Sequence, residues 1–192
     1  MNIVCARSIE DIAAGQSVDI LVLPEDIPIA AVLAAGARYP TTLIVAAVRD
    51  GCHMRGYLMA NGINQIDYLK TLDDGRSEPC PEIRELPVYE NAAVAVGVLI
   101  CRDYQNNDLR LPMLERLRNT KAPISLLCVP ADMNSDFFAD EQTTAFLGVF
   151  CALSNNKKTY ENPCRCRSFI ANRSGAIVSR QLEYEAIVAS AA

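Results

Sequence analysis

The chain has 192 residues and a mass of 21.0 kDa, a length that one domain with a single hydrophobic core accommodates, so we expect one domain over residues 1–192. Hydrophobic residues make up 51% and charged residues 21% of the sequence, with nine Gly and ten Pro, which excludes a disordered or collagen-like chain. The net charge of −5, without a basic run longer than a pair, argues against a nucleic-acid partner.

No apolar stretch reaches the roughly 20 uninterrupted residues that a membrane helix needs. The N-terminus, MNIVCARSIED, lacks the pattern of a secretory signal. We therefore expect no membrane partner and a cytoplasmic location. Several of the eight cysteines lie in apolar runs such as VGVLIC and ISLLCVP, where reduced cysteine behaves as a small core residue, so we interpret most of them as free thiols.

The first part of the chain alternates apolar runs with one helical segment and contains a hairpin signal, Asn61-Gly62. A polar segment with Gly and Pro over residues 73–86 predicts a long surface loop. The apolar pattern predicts, in chain order, a strand over 18–23, a helix over 26–37, a strand over 43–48, a turn over 51–56, a strand over 57–60 and its return strand over 63–69.

The second part begins with the most continuous apolar run, which is typical of a strand buried on both faces. Pro112 predicts the start of a helix or a kink. The elements predicted here are strands over 92–100 and 124–129, helices over 106–120 and 136–153, a hairpin of 167–171 with 176–179, and a last strand over 185–189. Strands interleaved with helices and hairpins indicate an α/β layered domain with a mixed sheet.

Two kinds of catalytic or metal site are disfavoured by the residues present. The single histidine, His53, falls in a predicted solvent-exposed turn, which argues against Ser-His-Asp and Cys-His mechanisms. Cys164 and Cys166 have no second Cys or His pair at ligand spacing, so we expect no metal and no other cofactor.

Three residues with reactive side chains directly follow predicted buried strands: Glu25, Lys70 and Cys101. Each has an ordinary explanation when taken singly. Glu25 could be a first-turn carboxylate of the next helix, Lys70 a solubilising charge on an edge strand, and Cys101 a core thiol. The residues alone leave these alternatives open.

Together, the strings VLPED, YLK, GVLICRDYQNNDLR and LLCVPAD resemble the nitrilase superfamily of carbon–nitrogen hydrolases, in sequence context and in order. The resemblance implies a four-layer α-β-β-α sandwich, with Glu25, Lys70 and Cys101 as catalytic residues and Glu78, eight residues after the lysine, as a fourth. The chain departs from this pattern at both ends. Residues 1–17 are too few for the usual first strand and long first helix, and the region after Pro130 is abbreviated.

The chemistry of these side chains agrees with the resemblance. A thiol attacks as its thiolate, so we expect Lys70 and Glu25 to lower the pKa of Cys101, with Glu25 accepting the proton. Lys70 and the backbone N–H of Arg102 are expected to hold the oxyanion, and Glu78 to orient the substrate or the hydrolytic water. Asp103 is interpreted as a turn residue.

The sequence thus predicts hydrolysis of a non-peptide carbon–nitrogen bond in a small molecule, an amide rather than a nitrile. The alternative is a catalytically silent protein of the same fold that acts as a scaffold or small-molecule binder. A redox thiol protein ranks last because the sequence has no C-x-x-C pair.

The resemblance also implies a homodimer formed through the helices after Cys101, those predicted over 106–120 and 136–153. The second of these has five large apolar side chains, which could form an interface or fill the core. They are Phe137, Phe138, Phe146, Leu147 and Phe150.

Overall fold

Two β-sheets form the centre of the computed structural model, which describes residues 1–72, 86–132, 148–155, 168–180 and 186–191. The strands within these ranges are β1 (Asn2–Cys5), β2 (Ile20–Val22), β3 (Leu43–Asp50), β4 (His53–Ala60), β5 (Ile63–Asn64), β6 (Tyr68–Leu69), β7 (Val88–Glu90), β8 (Val94–Val98), β9 (Ile124–Ala131), β10 (Phe150–Asn155), β11 (Phe169–Ala171), β12 (Ile177–Arg180) and β13 (Ile187–Ser190). The helices there are α1 (Ile29–Arg38) and α2 (Asn107–Arg118), together with two short 3-10 helices, Ile9–Asp11 and Cys101–Gln105.

Both sheets are mixed, with a parallel centre and antiparallel edges. The first has the order β13-β1-β2-β3-β4-β5, with β6 also paired to β4, and its strands β1, β2 and β3 are parallel. The second has the order β12-β11-β10-β9-β8-β7, with β8, β9 and β10 parallel. The carboxyl ends of the parallel strands in each sheet therefore lie at one edge.

Side-chain alternation along the strands produces the layers. In β3, Val45 belongs to the core between the two sheets, whereas Ile44 and Ala46 pack in the layer of α1. On the other side, α2 buries Leu109, Met113, Leu114 and Leu117 in the core that includes the second sheet. The predicted four-layer α-β-β-α sandwich is thus confirmed.

The N-terminal prediction was wrong about the first strand. β1 is present and pairs in parallel with β2 and antiparallel with β13. The long first helix is absent from residues 1–72, where the connection from β1 to β2 contains only the 3-10 helix Ile9–Asp11. Four residues, NIVC, suffice for a strand because two neighbouring strands cover both of its edges.

The predicted helix over 136–153 was wrong at its end, because Phe150–Asn155 is strand β10. This strand lies between β9 and β11 and is buried along its whole length. A short apolar run buried on both faces has no polar alternation to distinguish it from a helix. Residues 133–147, including Phe137, Phe138, Phe146 and Leu147, lie outside the described residues.

Other element boundaries also differ from the prediction. The predicted turn over 51–56 shortens to Gly51-Cys52, because β4 begins at His53, which is half-buried and pairs with Asp50. The return strand over 63–69 is split into β5 and β6. α2 begins at Asn107, where the side chain of Asn106 accepts a hydrogen bond from the N–H of Asp108, and it runs through Pro112. Of the predicted loop over 73–86, residues 73–85 are not described.

None of the helices in the described ranges is long and apolar enough to cross a membrane.

Candidate active site

Glu25 and Cys101 lie at the edge where the carboxyl ends of the parallel strands meet, the usual place for ligands in sheets of this kind. Glu25 follows β2 in the first sheet, and Cys101 follows β8 in the second. The backbone N–H of Glu25 donates to the carbonyl of Ala131, the last residue of β9, at 3.3 Å. This hydrogen bond joins the two sheets beside the site.

The backbone around Glu25 is held in an uncommon conformation. The next residue, Asp26, has φ +62° and thus lies in the left-handed region, which Asp tolerates better than most residues. Its carboxylate accepts two hydrogen bonds from the Arg49 guanidinium on β3, at 3.0 and 3.1 Å. The turn after β2 is thereby tied to the neighbouring strand, and Glu25 points inward with only 3% of its surface exposed.

Lys70 forms a buried ion pair with Glu25. Its Nζ donates to Glu25 Oε1 at 2.6 Å, and the lysine is fully buried. The backbone N–H of Lys70 donates to the carbonyl of Met54 on β4 at 2.9 Å, which continues the pairing of β6 with that strand. An ammonium buried to this degree requires a carboxylate partner, because desolvation of an unpaired charge is very costly.

Cys101 is the first residue of the 3-10 helix Cys101–Gln105 and has φ +51°. A non-glycine residue in the left-handed region stores strain, which is concentrated at functional sites in proteins. The bend is closed by a hydrogen bond from the N–H of Asp103 to the carbonyl of Ile100 at 2.9 Å. The thiol lies beside Glu25 and Lys70, and Cys101 is 3% exposed.

The expectation that both neighbours lower the pKa of the Cys101 thiol was wrong. Burial raises this pKa well above its usual range, and the Glu25 carboxylate raises it further by its charge and by a hydrogen bond with the thiol. The Lys70 ammonium and a hydrogen bond from the backbone of Asp132 lower it, but by less. Cys101 is therefore a neutral thiol at rest, with its proton directed at Glu25.

The structure thus brings Glu25, Lys70 and Cys101 together, as the order of motifs predicted. Glu78 lies outside the described residues. The Arg102 side chain is exposed beside the nucleophile, and the role of its backbone N–H in holding an oxyanion stays a prediction.

Two contributors to this region were missed in the sequence. Asp132 follows β9 in the string LLCVPAD, and position after a buried strand was the available signal for its backbone contact with Cys101. Asp103 closes the bend as predicted, but its carboxylate is also fully buried and accepts hydrogen bonds from residues 68–72. These partners are 31 to 35 residues away in the chain, so no local pattern identifies them.

The described part of the chain contains no group of three or more His, Cys, Asp or Glu side chains arranged to hold a metal ion. Cys164 and Cys166 lie outside it. The cysteines within it are free thiols, namely Cys5, Cys52, Cys101, Cys128 and Cys151.

No model of a known protein family matches this sequence, and no curated protein matches it either. Solved structures do match. NitN amidase from Nesterenkonia sp. AN1 superposes with a TM-score of 0.72 over 100% of this chain and 93% of the amidase, at 15% sequence identity. Nit3 of Saccharomyces cerevisiae, a nitrilase-superfamily member, gives a TM-score of 0.69 over 98% of this chain and 89% of Nit3, at 12% identity. The chain has the nitrilase-superfamily fold.

Structures of the Nesterenkonia amidase, which shares this nitrilase fold, include ligands at its active site. One shows acrylamide added to the active-site cysteine, another shows the acetamide moiety of fluoroacetamide bound covalently there, and a third is a complex with butyramide. These ligands are small aliphatic amides, and the cysteine of that enzyme is the atom donor in both covalent adducts.

Proposed function

We propose that this protein is a carbon–nitrogen hydrolase that cleaves the amide bond of a small molecule through a thioester on Cys101. The observation that carries the proposal is the buried Glu25–Lys70 ion pair, at 2.6 Å, directly beside the Cys101 thiol. A base, a cation and a nucleophile in one water-poor pocket are the parts that acyl transfer requires.

The first half of the reaction makes the thioester. The sulfur of Cys101 attacks the amide carbon while Glu25 takes the thiol proton, so no free thiolate has to accumulate. The negative charge on the carbonyl oxygen is stabilised by the Lys70 ammonium and by the backbone N–H of Arg102. When the carbon–nitrogen bond breaks, Glu25 returns the proton to nitrogen and ammonia leaves.

The second half hydrolyses the thioester. A water molecule attacks the acyl carbon, Glu25 accepts a proton from it, and the carbon–sulfur bond breaks to give the carboxylic acid and the Cys101 thiol. Glu78 is proposed to orient the substrate or this water. Atoms and electrons balance without a metal or an organic cofactor, so none is part of the proposal.

The proposed substrates are small amides rather than nitriles. Acrylamide and butyramide occupy the site of a structural neighbour with the same fold, which supports a small aliphatic acyl group here. We include a homodimer and a cytoplasmic location in the proposal. Leu111, on the outer face of α2, is 55% exposed, which supports α2 as part of a dimer contact.

The test is ammonia release from a panel of aliphatic amides, with butyramide first and butyronitrile as the nitrile comparison. We expect the wild type to turn over an amide, Cys101→Ala to lose all turnover, and Cys52→Ala, which changes an exposed thiol, to keep it. Acrylamide should modify Cys101 in peptides resolved by mass spectrometry. Turnover by Cys101→Ala near the wild-type rate would contradict the proposal.

A catalytically silent binder is the alternative, and the missing long helix between β1 and β2 favours it. It predicts butyramide binding by calorimetry in wild type and Cys101→Ala alike, with no ammonia released by either.

A further inference from the structure

The carboxylate of Asp103 is the centre of a hydrogen-bond cluster around the segment that carries Lys70. Oδ1 accepts from the backbone N–H of Leu72 at 2.9 Å and from Thr71 Oγ1 at 3.0 Å. Oδ2 accepts from the backbone N–H of Thr71 at 3.0 Å and from the Tyr68 hydroxyl. Four donors from residues 68–72 thus converge on one buried side chain, and Lys70 lies in the middle of that segment.

Little else in the described structure holds this segment. Strand β6 has two residues, Tyr68 and Leu69, and pairs only with Gly56 and Arg55 at the edge of β4. Beyond it, one backbone hydrogen bond joins Lys70 to β4. A two-residue edge strand is weak by itself, so the side-chain cluster contributes a large part of its order.

The carboxylate at the centre belongs to the bend that carries the nucleophile. Asp103 is two residues after Cys101 in the same 3-10 helix, and its backbone N–H closes the bend on the carbonyl of Ile100. One residue therefore fixes the backbone of Cys101 with its main chain and the backbone of Lys70 with its side chain. The two segments come from different sheets, which makes this the direct link between them near the thiol.

We propose that Asp103 is a positioning residue that sets the place of the Lys70 ammonium relative to the Cys101 sulfur. This inference rests on the proposed function of both residues. Its burial raises the pKa of Asp103, and the hydrogen bonds from Tyr68, Thr71 and Leu72 offset part of that rise. The donors are therefore arranged for a carboxylate, and each deletion should loosen the Lys70 segment by one contact.

The experiment removes single donors and leaves Asp103, Lys70 and Cys101 in place, because Asp103→Asn could fail to fold. The variants are Tyr68→Phe and Thr71→Val, each of which deletes one hydroxyl. The matched control is Thr42→Val, which deletes a threonine hydroxyl that donates to the carbonyl of Val18 at 2.5 Å. The readout is the second-order rate at which iodoacetamide alkylates Cys101, measured at pH 7.5 on the Cys101 peptide by mass spectrometry.

We expect Tyr68→Phe and Thr71→Val to slow alkylation of Cys101 by about tenfold, as for the loss of one pKa unit of thiolate stabilisation from Lys70. Thr42→Val should lower the melting temperature by a similar amount and leave the rate unchanged. A purely structural role predicts the opposite sign, because a loosened site exposes the thiol and speeds its alkylation. An unchanged or faster rate in both site variants would overturn the inference.

Alkylation needs no amide turnover, so this result stands apart from the proposed function. If the protein does hydrolyse an amide, the same two variants should lower kcat by about tenfold with KM within about twofold, because misplaced catalytic groups act on the transition state. An equal rise in KM with kcat unchanged would count against a positioning role.

Discussion

At the residue scale, burial determines how Cys101 can act. The thiol lies against the Glu25 carboxylate, and both are shielded from water, so the neutral thiol is favoured over the thiolate. The only positive charge among the causes that act on this pKa is the Lys70 ammonium. Proton transfer to Glu25 therefore has to accompany attack, and Glu25 carries both the ion pair and the base.

Glu25→Gln separates these two roles of the carboxylate. The substitution keeps the side-chain volume but removes the base, so we expect kcat to fall by about 10²- to 10⁴-fold. It also leaves the fully buried Lys70 ammonium without its anion, which should cost about 3–5 kcal/mol in the free energy of unfolding. Amide turnover and urea unfolding measure the two effects.

The control is the double variant Glu25→Gln, Lys70→Met, in which the buried charge is gone. It should recover most of the lost free energy of unfolding and none of the activity. A double variant no more stable than Glu25→Gln alone would show that the buried charge is not the source of the loss.

At the element scale, the close contact of α2 with β8 positions the bend between them. Gly97 on β8 faces α2, and a Cβ at this position would overlap the sulfur of Met113 and lie 3.2 Å from Leu117 Cδ1. The helix can approach the sheet this closely because residue 97 has no side chain. The chain between the two elements contains Cys101 and Asp103, so their separation bears directly on the site.

Gly97→Ala should destabilise the protein by about 1–3 kcal/mol, because the added methyl group overpacks the layer between β8 and α2. Met113→Ala alone should cost about 2–5 kcal/mol through the cavity that it leaves. The double variant should lose clearly less than the sum, since the new methyl group fills part of that cavity. Strict additivity in chemical denaturation would contradict this account of the packing.

At the scale of the whole molecule, the core between the sheets contains an unusual number of buried ionisable groups. Burial is the largest cause in each case and raises their pKa values above the ordinary ones. The groups are Cys5, Cys101, Cys128, Cys151, Tyr68 and Tyr104.

These groups predict that stability falls at alkaline pH. In the unfolded chain the thiols ionise near about pH 8.5 and the phenols near about pH 10, whereas in the folded protein they stay protonated. Their contribution to stability is therefore complete below about pH 8.5 and is lost as the pH rises, by up to about 1.4 kcal/mol per pH unit for each group. The urea midpoint should fall steeply between pH 8 and 10, and less steeply in Cys128→Ala. A midpoint independent of pH over that range would refute the prediction.

Self-association is the second property at this scale. If α2 forms the dimer contact, light scattering at micromolar concentration should give about twice the chain mass of 21.0 kDa, and Leu111→Glu should return it to the monomer value. Leu33→Glu is the control, because Leu33 on α1 is equally exposed, at 55%. A wild-type mass near 21.0 kDa would remove the dimer from the proposal.

The sequence by itself determined most elements and the identity of three site residues. Alternation and turn signals located β3, the core of β8 and the hairpin of β11 with β12, because these patterns depend only on neighbours in the chain. Glu25, Lys70 and Cys101 were found because each follows a buried strand in a distinctive short string. A local pattern of this kind survives without any knowledge of the packing.

Only the tertiary structure decided the rest. β10 could not be told from a helix, because burial on both faces removes the alternation that marks a strand. The raised pKa of Cys101 follows from the water that packing excludes, and the role of Asp103 follows from donors more than 30 residues away. Burial and long-range hydrogen bonds depend on how two sheets meet, and one strand's sequence does not specify its neighbour across the sandwich.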